Sequence, residues 1–193
     1  MVTSRKTAKT TTVRTASAKA AAKSPRPSAS APDAIALLKA DHKRVSDLYA
    51  QYEKTRSQAK KRSLVASICQ ELSVHAQVEE EIFYPAVKAA LKDKELVPEA
   101  QVEHASLKEL IAQVRDKEPD GELFDAKIKV MSEYTRHHVK EEQNEMFPKA
   151  RKTRLDMNEL GERIAARKKE LMESPELLEA PLTPAGAAMA PAA

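Results

Sequence analysis

The sequence predicts an all-α protein, an up-down-up-down four-helix bundle with a short extra C-terminal helix and disordered tails. Three observations carry this. The 193 residues include only 3 Gly and no Trp but abundant Ala, Leu, Lys and Glu, a helix-forming composition. Apolar residues recur at spacings of three and four over four long segments, the mark of helices with one buried face. A stretch also occurs twice: His75-Ala-Gln-Val-Glu79-Glu-Glu-Ile-Phe-Tyr-Pro85 and His138-Val-Lys-Glu-Glu142-Gln-Asn-Glu-Met-Phe-Pro148. Each copy has a lone His upstream, His42 by 33 residues and His104 by 34, so four of the five histidines share a period near 33.

Residues 1–32 form the first unit, a basic Lys/Ala/Ser/Pro tail expected to be disordered because it cannot bury enough apolar surface to offset its ordering entropy. It carries seven basic side chains and no acid, whereas the other 26 basic and 29 acidic residues give the remainder a charge of −3. The overall +4 therefore belongs to the tail. Weak, salt-sensitive nucleic-acid contact is an expectation for residues 1–32 alone.

The first helix is expected from Asp33, an N-cap after Pro32, to Glu53. Its stripe is Ile35, Leu38, His42, Val45, Tyr49 and Tyr52. The second, from Ala59 to Leu91, places Leu64, Ile68, Leu72, His75, Glu79, Ile82 and Ala86 on one face. Pro85 should kink or interrupt it near its end. Cys69 lies one residue off the stripe and reads as a small hydrophobe. The third helix, Pro98 to Asp116, turns Val97, Ala100, His104, Leu107, Ile111 and Val114 inward. After a turn at residues 117–121, the fourth runs from Glu122 to Lys149 with Phe124, Ile128, Met131, Thr135, His138, Glu142 and Met146 inward. His137 is about 100° away from His138 around the helix and must face outward. These helices make up a domain over 33–150. Residues 151–173 add an amphipathic helix from Asp156 to Met172, with Leu160, Ile164 and Leu171 inward, and 174–193 form a Pro/Ala-rich tail expected to be disordered.

Each of the four helices thus places one His on its core face, and the second and fourth add a Glu one turn later. A bundle gathers His42, His75, Glu79, His104, His138 and Glu142 into one or two adjacent layers. A single His on an apolar face is ordinarily a hydrogen-bonded core residue. Two buried carboxylates with no Lys or Arg on any inward stripe are different, because unpaired buried charge costs several kcal/mol. A metal cation removes that cost. Imidazole and carboxylate without sulfur suit iron, manganese or zinc. Six protein ligands exceed the needs of one tetrahedral ion, and two carboxylates able to bridge fit a two-metal centre open to a small diatomic ligand.

This pattern resembles the hemerythrin-like HHE cation-binding domains of bacteria. His42, the His75…Glu79 pair, His104 and the His138…Glu142 pair match that family's ligands, and the Phe83-Tyr84-Pro85 and Met146-Phe147-Pro148 endings match as well. The resemblance implies an oxo- or hydroxo-bridged centre of two iron ions in a protein that binds or senses dioxygen, nitric oxide or peroxide or handles iron; a di-iron oxidase, peroxidase or nitric oxide-reducing activity is the alternative. The single Cys and the lack of a signal-peptide run near the N-terminus point to a cytoplasmic protein. Two positions depart from the oxygen carriers of the family: Lys108 stands where they have a second third-helix His, and Gln143 where they have an Asp. Tyr49 and Tyr134 are candidates to touch the ligands, whereas Glu80, Glu81, Glu141 and Glu145 read as a solvated face. The single Cys excludes an internal disulfide and thiolate clusters, and no apolar run reaches the length of a membrane span.

Overall fold

The computed structural model describes residues 33–92 and 94–174, together with Met1 and Leu178. The tails expected at 1–32 and 174–193 lie almost wholly outside the described residues. Seven α-helices follow in order: α1 (Ala34–Lys54), α2 (Gln58–Val78), α3 (Tyr84–Leu91), α4 (Leu96–Val114), α5 (Gly121–Glu141), α6 (Phe147–Arg151) and α7 (Met157–Glu173). Two π-helical turns, Glu79–Phe83 and Glu142–Met146, join α2 to α3 and α5 to α6 without a break. The bundle rods are therefore α1, α2–α3, α4 and α5–α6, and no strand occurs among the described residues. α7 packs across α1, α2 and the first π turn.

The expected cap of α1 is present. The Asp33 side chain accepts a hydrogen bond from the Ala36 backbone N–H at 2.9 Å, and Arg151 at the end of α6 ties back to both Asp33 oxygens at 3.0 Å. Asp156 caps α7 through the N–H groups of Asn158 and Glu159. Such caps satisfy donors that the first helical turn leaves open.

Pro85 does not end its helix. The interruption is the π turn before it, in which the Tyr84 N–H reaches back five residues to the Glu79 carbonyl. Pro148 has the same arrangement, with the Phe147 N–H on the Glu142 carbonyl. The extra residue in each turn shifts the phase of everything downstream. Hence Phe83, Tyr84 and Val87 are buried, while Ala86, expected inward on an unbroken 3.6 period, is half-buried.

The interior divides into two apolar clusters. One centres on Ile35, Val78, Phe83, Phe147 and Ile164, with Leu178 packed against its edge. The other centres on Tyr49, Ile68, Leu72, Ile111 and Met131. Cys69 belongs to the second, and burial raises its pKa to about 11, consistent with a structural side chain. Between the clusters lie the buried histidines and glutamates.

Phe83 is fully buried and meets Phe147 edge-on with ring centroids 5.5 Å apart. Phe83→Ala should cost about 3–5 kcal/mol in urea unfolding of the metal-free protein; a loss below 1 kcal/mol would contradict the packing described.

Candidate metal centre

All six sequence-predicted residues meet in one layer. His42 and His75 come from α1 and α2, His104 and His138 from α4 and α5, and Glu79 and Glu142 open the two π turns. Glu79 and Glu142 are at most 1% exposed. His42 Nε2 and His75 Nε2 are 3.0 Å apart, and His104 Nε2 and His138 Nε2 3.1 Å. Glu79 Oε2 lies 3.2 Å from His75 Nε2 and 3.5 Å from His104 Nε2. Glu142 Oε2 lies 3.2 Å from His42 Nε2 and 3.6 Å from His138 Nε2. Each carboxylate therefore spans both histidine pairs. The shorter of these separations match the edges of a coordination polyhedron, which are about 3.0–3.4 Å for metal–ligand bonds near 2.1 Å, and the two longest exceed them by about 0.1–0.2 Å.

The outer nitrogens of the rings fix which way each histidine faces. His104 Nδ1 is 3.0 Å from Glu80 Oε1 and His138 Nδ1 is 2.7 Å from Glu103 Oε2. Asp41 Oδ2 stands 3.5 Å from His75 Nδ1, and the Gln143 amide 3.0 Å from His42 Nδ1. A carboxylate only accepts, so the Nδ1 of His104 and of His138 carries a proton and their Nε2 lone pairs point at each other. Two lone pairs at 3.1 Å require something positive between them. Burial disfavours charge on His138, but Glu142 and Glu103 outweigh burial and raise its pKa. Burial lowers His75 to about 4 and also lowers His104, so both stay neutral, as ligands must.

The carboxylates hold protons unequally. Burial first, then the charge of Glu142, pushes Glu79 well above the ordinary range. Burial pushes Glu142 up too, but His138 and His42 bring it down to about 2. The pair therefore shares one proton, held on Glu79. The Glu79 Oε1 and Glu142 Oε2 atoms are buried without a hydrogen-bond partner, the condition a cation would relieve.

Several neighbours were not foreseen. Tyr84, carried inward by the π turn, sets its hydroxyl 3.0 Å from Glu142 Oε1, 3.2 Å from Glu79 Oε2 and 3.2 Å from His104 Nε2. Burial and the two glutamates raise its pKa, so it stays a neutral O–H donor. Glu80, read from sequence as solvated, is half-buried against His104 and paired with Lys108 at 2.7 Å. Glu81 is held by Arg167 of α7 at 2.7 Å. Tyr134 is 51% exposed and lies at the surface between α4 and α5, outside the buried layer. Tyr49 bonds Thr135 at 3.4 Å inside the second apolar cluster. His137 faces outward, as its angle on the helix requires.

The positions that orient the rings follow the repeat. Asp41 and Glu103 each precede the first His of a pair and face the Nδ1 of the second, while Glu80 and Gln143 each follow one of the two buried glutamates and reach the Nδ1 of the first His of the other pair. The duplicated unit is therefore a helix pair with an offset of 62–63 residues. A cavity of about 430 Å³ between α4 and α5 reaches the layer from the surface past Val102, Glu103 and Tyr134, with His104 and His138 as inner wall.

A bundle whose interior gathers four imidazoles and two carboxylates is a metal-binding bundle. The chain belongs to the hemerythrin HHE cation-binding domain family, whose match covers residues 33–150. A crystal structure of a hemerythrin HHE cation-binding domain-containing protein from Mycobacterium kansasii shares the fold at a TM-score of 0.64, with 22% identity, over 76% of this chain and 91% of that one. A DNA nickase from Nostoc sp. is 24% identical over 111 residues, 58% of this chain and 31% of that protein. The chain thus matches about a third of that relative's length.

Glu79 titrates higher folded than unfolded, so folding favours its neutral form. That contribution is full below the ordinary value of 4.5 and is lost as pH rises through the raised value. Glu79→Gln fixes the neutral form. At pH 7 the metal-free variant should be more stable than the native chain by about 1–4 kcal/mol in urea, with the gap closing below pH 4.5. A destabilised variant at pH 7 would contradict the proton assignment.

Proposed function

We propose that the buried layer holds two iron ions, His42 and His75 serving one and His104 and His138 the other, with Glu79 and Glu142 shared between them. The observation that carries this is the facing Nε2 pair of His104 and His138, both with Nδ1 engaged by a carboxylate. Iron would supply reversible redox chemistry and open positions for dioxygen, nitric oxide or peroxide; manganese and zinc share the ligand preference. The surrounding residues support binding or sensing of such a molecule, or the handling of iron. The cavity between α4 and α5 gives a small molecule a path to the layer. Tyr84 presents one hydrogen-bond donor beside both shared carboxylates. The apolar clusters on either side keep bulk water away. Glu80, Glu103 and Asp41 orient the rings, and loss of such a partner commonly lowers metal affinity by about 10–100-fold.

Metal analysis with visible spectra, in air and after anaerobic reduction, tests the reading. The expected result is about two irons per chain and absorption bands that bleach on reduction and return with oxygen, all lost in His75→Ala/Glu79→Ala. A single zinc, or iron unchanged in the double variant, would overturn it.

A second reading has its own support: the Nostoc relative is a DNA nickase, and residues 1–32 carry seven basic side chains with no acid. In this reading the chain acts on DNA through its basic tail. Supercoiled plasmid incubated with the iron- or manganese-loaded protein should then be nicked, less so as salt rises, and not at all after removal of residues 1–32. Plasmid that stays supercoiled would sink it.

A further inference from the structure

The repeat makes the two halves of the layer comparable position by position, and one of their differences lies on the outer face. On the first half, α7 covers the outer side of α1 and α2. There the second oxygen of Asp41 meets the Lys168 ammonium, and the α2 positions beside it are the fully buried Val74 and Val78. On the second half nothing among the described residues covers the matching face. Glu103 takes the place of Asp41, and His137 and Glu141 take the places of Val74 and Val78, at the same offsets of 62 and 63 residues.

The three polar side chains converge. His137 Nε2 lies 3.5 Å from Glu103 Oε1 and 3.2 Å from Glu141 Oε1, and one ligand atom from each falls within 4.8 Å of the others. The two edges from His137, 3.2 and 3.5 Å, suit a tetrahedral ion with bonds of about 2.0–2.1 Å. His137 and Glu141 are one helical turn apart, the spacing of the buried His138…Glu142 pair. One imidazole and two carboxylates suit zinc, iron(II) or manganese(II). Glu103 is shared: Oε1 faces this cluster, while Oε2 holds His138 Nδ1 at 2.7 Å. The cavity between α4 and α5 is lined by Glu103 and His137 on its outer side and by His104 and His138 within.

We infer that Glu103, His137 and Glu141 form an outer site for an exchangeable divalent cation, from which the buried layer is loaded through the cavity between α4 and α5. Where the first half keeps a fixed ammonium against its carboxylate, the second half keeps a place for a mobile ion. The loading role rests on the proposed buried centre; the outer site does not.

The test uses the full chain, with His137→Ala and Glu141→Gln as exposed variants and circular dichroism to confirm that they fold. Equilibrium dialysis against zinc gives the stoichiometry. The native chain should hold one more ion than either variant, with affinity for that ion lowered in the variants by roughly 10–100-fold and the buried complement unchanged. Stopped-flow uptake of iron(II) gives the rate, which should fall roughly tenfold or more in the variants because the focusing site is gone. Equal stoichiometry in native and variant chains would overturn the outer site. A lost outer ion with an unchanged loading rate would overturn the loading role. A buried layer that takes no metal in any chain would overturn the centre and the loading role together, while the zinc stoichiometry would still decide the outer site.

Discussion

Two carboxylates and four imidazole nitrogens share a layer from which water is largely excluded, and the cost of that burial orders the rest of the molecule. Each group alone would be expelled or neutralised. Together, without metal, they settle by sharing protons: one on the glutamate pair, one drawn to His138, and His75 and His104 kept neutral. The apolar clusters above and below keep the rods apart by fixed amounts, so the six groups cannot spread to reach solvent. Rigid crowding of this kind costs stability and fits a cation closely, the common exchange between a functional site and its fold.

Much of this was legible because the six candidate ligands lie on the same stripes as the core. The inward positions read for α1 and α4, from Ile35 to Tyr52 and from Val97 to Val114, are all buried. His42, His75, Glu79, His104, His138 and Glu142 follow from those stripes by register alone. The reading fails where the helical period changes. Nothing in local propensity marks the π turns, whose sequences Glu-Glu-Glu-Ile-Phe and Glu-Gln-Asn-Glu-Met look like ordinary helix. An unbroken period therefore missed Tyr84 as a neighbour of the ligands.

The orienting residues were hidden for a different reason. Glu80, Glu103 and Asp41 sit on the flanks of the stripe, where charge is usually solvated, and only contact across the bundle shows that they face a ring nitrogen. A signal did exist: Asp41 and Glu103 precede equivalent histidines, and Glu80 and Gln143 follow equivalent glutamates. Comparing the two copies beyond their shared residues would have found it. Tyr134 shows the converse, since its place one turn before His138 put it near the layer, but it sits at the surface between α4 and α5 and not in the layer.

The helix-pair repeat also bears on how such a molecule originates. One pair supplies two histidines and one glutamate, and the residues that orient its rings come partly from the other pair, since Glu80 serves His104 and Gln143 serves His42. Neither half is a small version of the whole. An ancestor encoding a single pair would have completed its ligand set by self-association about a two-fold axis, and fusing the copies freed them to diverge. The difference between Lys168 against Asp41 and His137 against Glu103 is the kind of asymmetry that a symmetric dimer forbids and a fused chain permits.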